Sequence, residues 1–103
     1  MIEIKLRIPD RAAVGEVIEV RTLALAPAID EEVFGPDGLP VRIFRAFRCT
    51  FEGREVLRAD LQPGMARDLA LTFPFRVPGS GTLTLVWVLE SGEELVRRHA
   101  VGV

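Results

Sequence analysis

In Asp68-Leu69-Ala70-Leu71-Thr72-Phe73-Pro74-Phe75-Arg76-Val77, every second side chain from Leu69 onward is apolar. That period of two places Leu69, Leu71, Phe73, Phe75 and Val77 on one face of a β-strand, against a core. Pro74 falls on the opposite face. A proline cannot donate to a hydrogen-bond ladder, so its presence predicts a strand at the edge of its sheet.

The same grammar continues on both sides. Downstream, Pro78-Gly79-Ser80-Gly81 marks a turn into residues 82–89, where Leu83, Leu85, Trp87 and Leu89 alternate with Thr82, Thr84, Val86 and Val88. Neither face of that strand carries a charge, which predicts burial on both sides. Ser91-Gly92-Glu93 then closes a hairpin to a last strand over residues 94–103. Upstream, Gln62-Pro63-Gly64 ends a strand over residues 55–61, which Glu52-Gly53-Arg54 joins by a tight turn to residues 41–51. Glycine supports such a turn because it accepts positive φ. In residues 41–51, Ile43, Phe47, Cys49 and Phe51 share one face, Arg42, Arg48 and Thr50 take the other, and Phe44 and Arg45 fall out of step.

Residues 28–40 carry Asp30, Glu31, Glu32 and Gly35-Pro36-Asp37-Gly38, and read as an exposed excursion. Before it lie a β-branched strand over residues 16–25, ended by Pro27, and a first strand over residues 3–8 with Ile4, Leu6 and Ile8 on one face. Short strands separated by turn signals, with no segment of helical period, predict an all-β, immunoglobulin-like antiparallel β-sandwich of about seven strands. No repeat or linker interrupts it, so residues 1–103 are expected to form a single domain.

Composition narrows the function. In 103 residues, thirteen Lys and Arg stand against fifteen Asp and Glu, a formal charge of −2, and the two signs alternate without a basic stripe. Nucleic acid is therefore not an expected partner. No apolar run approaches the roughly twenty residues of a membrane helix, so no membrane role is expected either. The start, Met1-Ile2-Glu3-Ile4-Lys5-Leu6-Arg7-Ile8, lacks the basic-then-apolar layout of a signal peptide, which predicts that any export is not self-encoded.

The chemical inventory is thin: one His, one Cys and no Tyr. Blue-copper sites take two histidines and a cysteine, and structural zinc sites usually take four Cys or His ligands, so no metal, cofactor or catalytic residue is expected. Cys49 lies between Phe47 and Phe51 on an apolar face, where a thiol is inert and packs as a small hydrophobe. His99 shares a face with Leu95 and Val101, without a nucleophile or carboxylate nearby in sequence, and reads as a partly buried structural histidine. The acids Asp30-Glu31-Glu32 match no calcium-loop spacing, and Gly79-Ser80-Gly81 lacks the helix a phosphate cradle needs. Arg42, Arg45 and Arg48 recur at steps of three, which in a regular strand keeps them off a common face.

Gly15-Glu16-Val17-Ile18-Glu19-Val20, Pro27, Asp37-Gly38 and the pattern Pro40-x-x-Ile43-Phe44-x-x-Phe47-x-Cys49-x-Phe51-x-Gly53 together resemble the Z subunit of the Sox sulfur-carrier complex of thiosulfate-oxidising bacteria. Val56, the turn at Pro63, Gly81-Thr82-Leu83 and Trp87 extend the resemblance over nearly the whole chain. Ala26-Pro27-Ala28-Ile29 stands where that family carries a His-Pro-Met-Glu type of sequence, and Glu90-Ser91-Gly92-Glu93 replaces an aspartate-rich turn. No role is carried over to those side chains. The resemblance implies a periplasmic sandwich subunit, exported with its partner and not itself catalytic. That partner is a SoxY-like sulfur-carrier subunit, bound as a heterodimer or higher assembly, whose flexible Gly-Gly-Cys-Gly-Gly tail holds sulfur intermediates. Other Sox enzymes would meet the complex transiently.

The present chain ends Ala100-Val101-Gly102-Val103, without that cysteine or arm. Function is therefore expected in partner binding, with Phe34, Ile43, Phe44 and Arg45 as the candidate patch and Phe44, out of step with its strand, as an exposed anchor. Two alternatives stand beside this reading. One is a thiol-redox or metal-binding protein using Cys49 and His99; the other is a self-associating sandwich, a homodimer when isolated.

Overall fold

The computed structural model describes residues 2–25, 44–61, 68–89 and 92–103. Along them run β1 (Glu3–Arg7), β2 (Val17–Leu25), β3 (Phe44–Phe51), β4 (Arg54–Asp60), β5 (Leu69–Arg76), β6 (Gly81–Leu89) and β7 (Glu94–Val101). They pair as two antiparallel sheets, β1-β2-β5 and β4-β3-β6-β7. This is the expected immunoglobulin-like sandwich, with β4 beside β3 and not in the sheet of β1, β2 and β5, where constant-type domains carry their fourth strand. The strand expected from residue 41 is seen from Phe44 onward; residues 41–43 and the 28–40 excursion lie outside the described residues.

The alternation read from residues 68–77 is realised on β5, whose Leu69, Phe73 and Phe75 are buried and whose Ala70, Thr72 and Pro74 are exposed. β5 is an edge strand, as Pro74 requires, with Pro74 opposite Glu19 of β2. Between the sheets, Ile18, Val20 and Ala24 of β2 join Phe47, Phe51, Leu83, Leu85 and Trp87 in one core cluster. Phe47 sits edge-on to both Trp87 (centroids 5.2 Å apart) and Phe73 (6.2 Å), and Phe51 packs on Phe75 at 5.0 Å. These rings bridge the two sheets, and full burial of each contributes about 1.5–3 kcal/mol. Thr22, the polar residue in this layer, donates from Oγ1 to the Leu71 carbonyl at 3.1 Å, which offsets the cost of burying its hydroxyl.

The link between β1 and β2, two strands of one sheet, reaches across to the end of the other sheet before it returns. Arg11 forms a parallel bridge with Gly102, the Ala12 N–H donates to the Gly102 carbonyl at 2.9 Å, and the Gly102 N–H donates to the Asp10 carbonyl at 2.8 Å. The link that leaves the first sheet thus covers the end of the last strand of the second.

Two irregularities in the pairing of β3, one on β3 and one on its neighbour β4, decide which residues face inward. Its pairing with β6 shifts register between Phe44 and Ala46, a β-bulge that turns two successive residues to one side. Arg45 and Ala46 therefore both point outward, and Phe44 points into the core, where it is 3% exposed. The expectation of Phe44 as an exposed anchor is corrected: it breaks the alternation because the strand bulges, not because it faces a partner. The second shift, between Cys49 and Thr50 against β4, adds Val56 to that edge strand. The β3–β4 turn is Glu52 (φ 48°) and Gly53 (φ 80°), the pair of left-handed residues that a two-residue hairpin of matching twist demands.

Candidate functional site

Cys49 stands opposite Leu57 of β4 and Leu85 of β6 on the inner face and is fully buried and free. Burial pushes its thiol up from 9.0 to about 11, since the thiolate would lose its hydration. At neutral pH it carries almost no thiolate, the nucleophilic form. The apolar expectation for Cys49 is met.

His99 lies at the seam between β7 and the link after β1. Its Nε2 is 3.1 Å from Oδ1 of Asp10 and 3.3 Å from the Pro9 carbonyl, and its side chain is 21% exposed. The carboxylate comes from 89 residues away in the chain, which local sequence could not reveal. The pair fixes the imidazole and ties β7 to Pro9 and Asp10. It brings no nucleophile with it, and among the described residues no three His, Cys, Asp or Glu side chains gather to hold a metal ion.

Of the candidate partner-binding residues, Phe34 and Ile43 lie outside the described residues, Phe44 is core and Arg45 is exposed. The bulge changes the company Arg45 keeps. With Ala46, Arg48, Arg58, Asp60, Val88, Gly92 and Glu94 it lines a groove of about 230 Å³ on the outward face of the four-stranded sheet. Arg45 and Arg48 thus share a face although they are three residues apart, a correction to the regular-strand expectation with the same cause as that for Phe44. Arg42 is outside the described residues.

Three rows cross this face. Asp60, Ala46, Val88 and Glu94 are mutually opposite; so are Arg58, Arg48, Val86 and Val96; so are Glu55, Thr50, Thr84 and Arg98. On this face β6 supplies the uncharged Thr84, Val86 and Val88, β3 supplies Ala46 and Thr50 together with Arg45 and Arg48, and further charges lie on the outer strands β4 and β7. Val88 is 7% exposed although it faces outward, and forms the floor of the groove. Arg48 donates to Oε2 of Glu94 at 3.0 Å, and its direct neighbour across the ladder is a second cation, Arg58. The sequence carried one signal of this surface, the uncharged second face of residues 82–89. The contributions of Arg58, Val96 and Arg98 depend on strand order and could not be read from it.

The opposite face of the molecule is different in kind. There β2 presents Glu19 and Arg21, which pair with each other, and Lys5 pairs with Glu3 on β1. Arg76 donates to the Gly15 carbonyl at 2.8 Å.

A family model described as sulphur oxidation protein SoxZ matches residues 4–99. None of the curated proteins matches the chain. Among solved structures, a variant of superoxide reductase (neelaredoxin) from Ignicoccus hospitalis is similar over 97% of this chain and 78% of its own, with TM-score 0.70 and 21% identity. The sulfur carrier protein SoxY from Chlorobium limicola f thiosulfatophilum is similar over 97% of this chain and 74% of its own, with TM-score 0.67 and 14% identity. At such identities the likeness is one of fold.

Proposed function

The chain belongs to the SoxZ family of sulphur oxidation proteins, and from that premise we propose that it is a non-catalytic Sox subunit that pairs with a SoxY-type sulfur carrier. In this reading the reactive thiol sits on the partner, and the present chain stabilises that partner and helps present its arm to other Sox enzymes in the periplasm. The observation that carries the reading is the family match across residues 4–99. The state of Cys49 supports it, because the one thiol of the chain is sealed in the core with its pKa raised to about 11. A thiol-redox enzyme would need that sulfur accessible and ionised.

Co-expression with the SoxY-type protein of the same source tests the reading. The expected result is a stable complex of one copy of each that survives gel filtration. Two separate peaks would overturn it.

A further inference from the structure

We infer that the outward face of the four-stranded sheet is where this chain receives its partner, and that the partner's matching patch is apolar at its centre and ringed by carboxylates. This rests on the reading of the chain as a subunit that pairs with a SoxY-type protein.

The first argument is the distribution of polarity. Protein interfaces combine an apolar centre with a polar rim and are enriched in arginine. Here Ala46, Val86 and Val88 lie in the middle beside Arg48, whose charge Glu94 pairs, with Val96 36% exposed next to them. Arg45, Arg58 and Arg98 stand around that middle. The four strands and three rows span roughly 14 by 14 Å between outermost backbones at ordinary strand spacing and rise, so they form the centre of a specific contact and the partner must also cover the surface around them.

The second argument is charge. The chain carries a formal −2, yet among the described residues Arg45, Arg58 and Arg98 have no ion pair, and Glu94 is already held by Arg48. Like charges directly opposed on a sheet destabilise it, and Arg48 with Arg58 is such a pair. A carboxylate entering the 230 Å³ groove would lie among Arg45, Arg48 and Arg58, over the apolar floor of Val88; Asp60 and Glu94 line the same groove, so its cations outnumber its carboxylates by one. The three-stranded sheet also opposes two cations, Arg7 and Arg21, but Glu19, Glu3 and the Gly15 carbonyl occupy three of its four cations. That face is built for solvent.

A sandwich of the same fold could pack its own sheet on this one. Two sheets stacked face to face lie about 10 Å apart, and side chains as short as Ala46, Thr84 and Val86 permit that approach.

The test uses the full chain and the SoxY-type subunit of the same source, with calorimetric binding at low and high salt. Arg58→Glu and Val96→Asp alter exposed positions of this face, and Arg7→Glu is the control on the other sheet; thermal melts confirm that each variant folds. The inference expects R58E and V96D each to weaken binding about tenfold or more and R7E to change it by less than about twofold. It also expects wild-type affinity to fall with salt. If wild type binds and R58E and V96D bind equally well, this face is not the interface, while the subunit reading stands. If wild type does not bind at all, the subunit reading itself fails. A wild-type homodimer that excludes the partner and is broken by V96D would make the occupant a second copy, overturning both.

Discussion

Gly81 backs directly onto Phe51: a Cβ on the glycine would lie 2.5 Å from Cζ of the ring and 2.8 Å from Cγ of Glu52. Phe51 is held in turn by Phe75 at 5.0 Å, and Glu52 by the Thr82 N–H, which donates to its Oε1 at 2.9 Å. Neither neighbour can withdraw without losing a contact. Gly81→Ala is therefore expected to cost about 1–3 kcal/mol, as overpacking does. Gly53→Ala is the useful contrast, because nothing lies within 4 Å of its Cβ position and only its φ of 80° resists. It should cost roughly 1–2 kcal/mol. Urea denaturation measures both, and a shifted near-ultraviolet signal from the packed aromatics should accompany G81A but not G53A.

The bulge in β3 makes a sharp prediction about two adjacent residues. Phe44→Ala should destabilise the protein by about 3–5 kcal/mol, the cost of emptying a core site. Arg45→Ala should stay within about 0.5 kcal/mol of wild type. Were the strand regular, the two effects would exchange places. Thermal melts of the pair decide it.

Arg48 and Glu94 join β3 to β7 across the outside of β6, with side chains 39% and 44% exposed. Solvent at that level of exposure screens the pair, so a double-mutant cycle of R48A and E94A should return a coupling of about 0.2–1 kcal/mol. The coupling should fade in high salt. A value that persists unchanged would mean the pair is more sheltered than its exposure indicates.

The sandwich is legible in sequence because its strands obey a period of two and its turns are written in Gly and Pro. Pro74 even marks the edge position of β5. The candidate face is not legible, for two physical reasons. A surface made of rows such as Arg58, Arg48, Val86 and Val96 exists only once strand order is known, and order follows from long-range pairing, not local pattern. The bulge at Phe44 to Ala46 also inverts the inside and outside assignment of the residues before it, so a regular period places Phe44 and Arg45 the wrong way round. His99 with Asp10 is hidden for the first reason.

Cys49 yields the prediction that bears most directly on whether this chain does chemistry. Its folded pKa of about 11 lies above the ordinary 9.0, so on raising the pH the unfolded chain loses the thiol proton first. The stability contributed by burying the neutral thiol is complete below pH 9 and is lost as pH rises towards 11. Cys49→Ala should cost on the order of 1 kcal/mol at neutral pH through the small void it leaves. The gap between variant and wild type should narrow as the pH climbs through that window. Iodoacetamide offers the second measurement: at neutral pH the native protein should resist labelling, and the urea-unfolded chain should be labelled in full. Fast modification of the native protein would mean that the thiol reaches solvent as thiolate, and would restore the redox reading that its burial argues against.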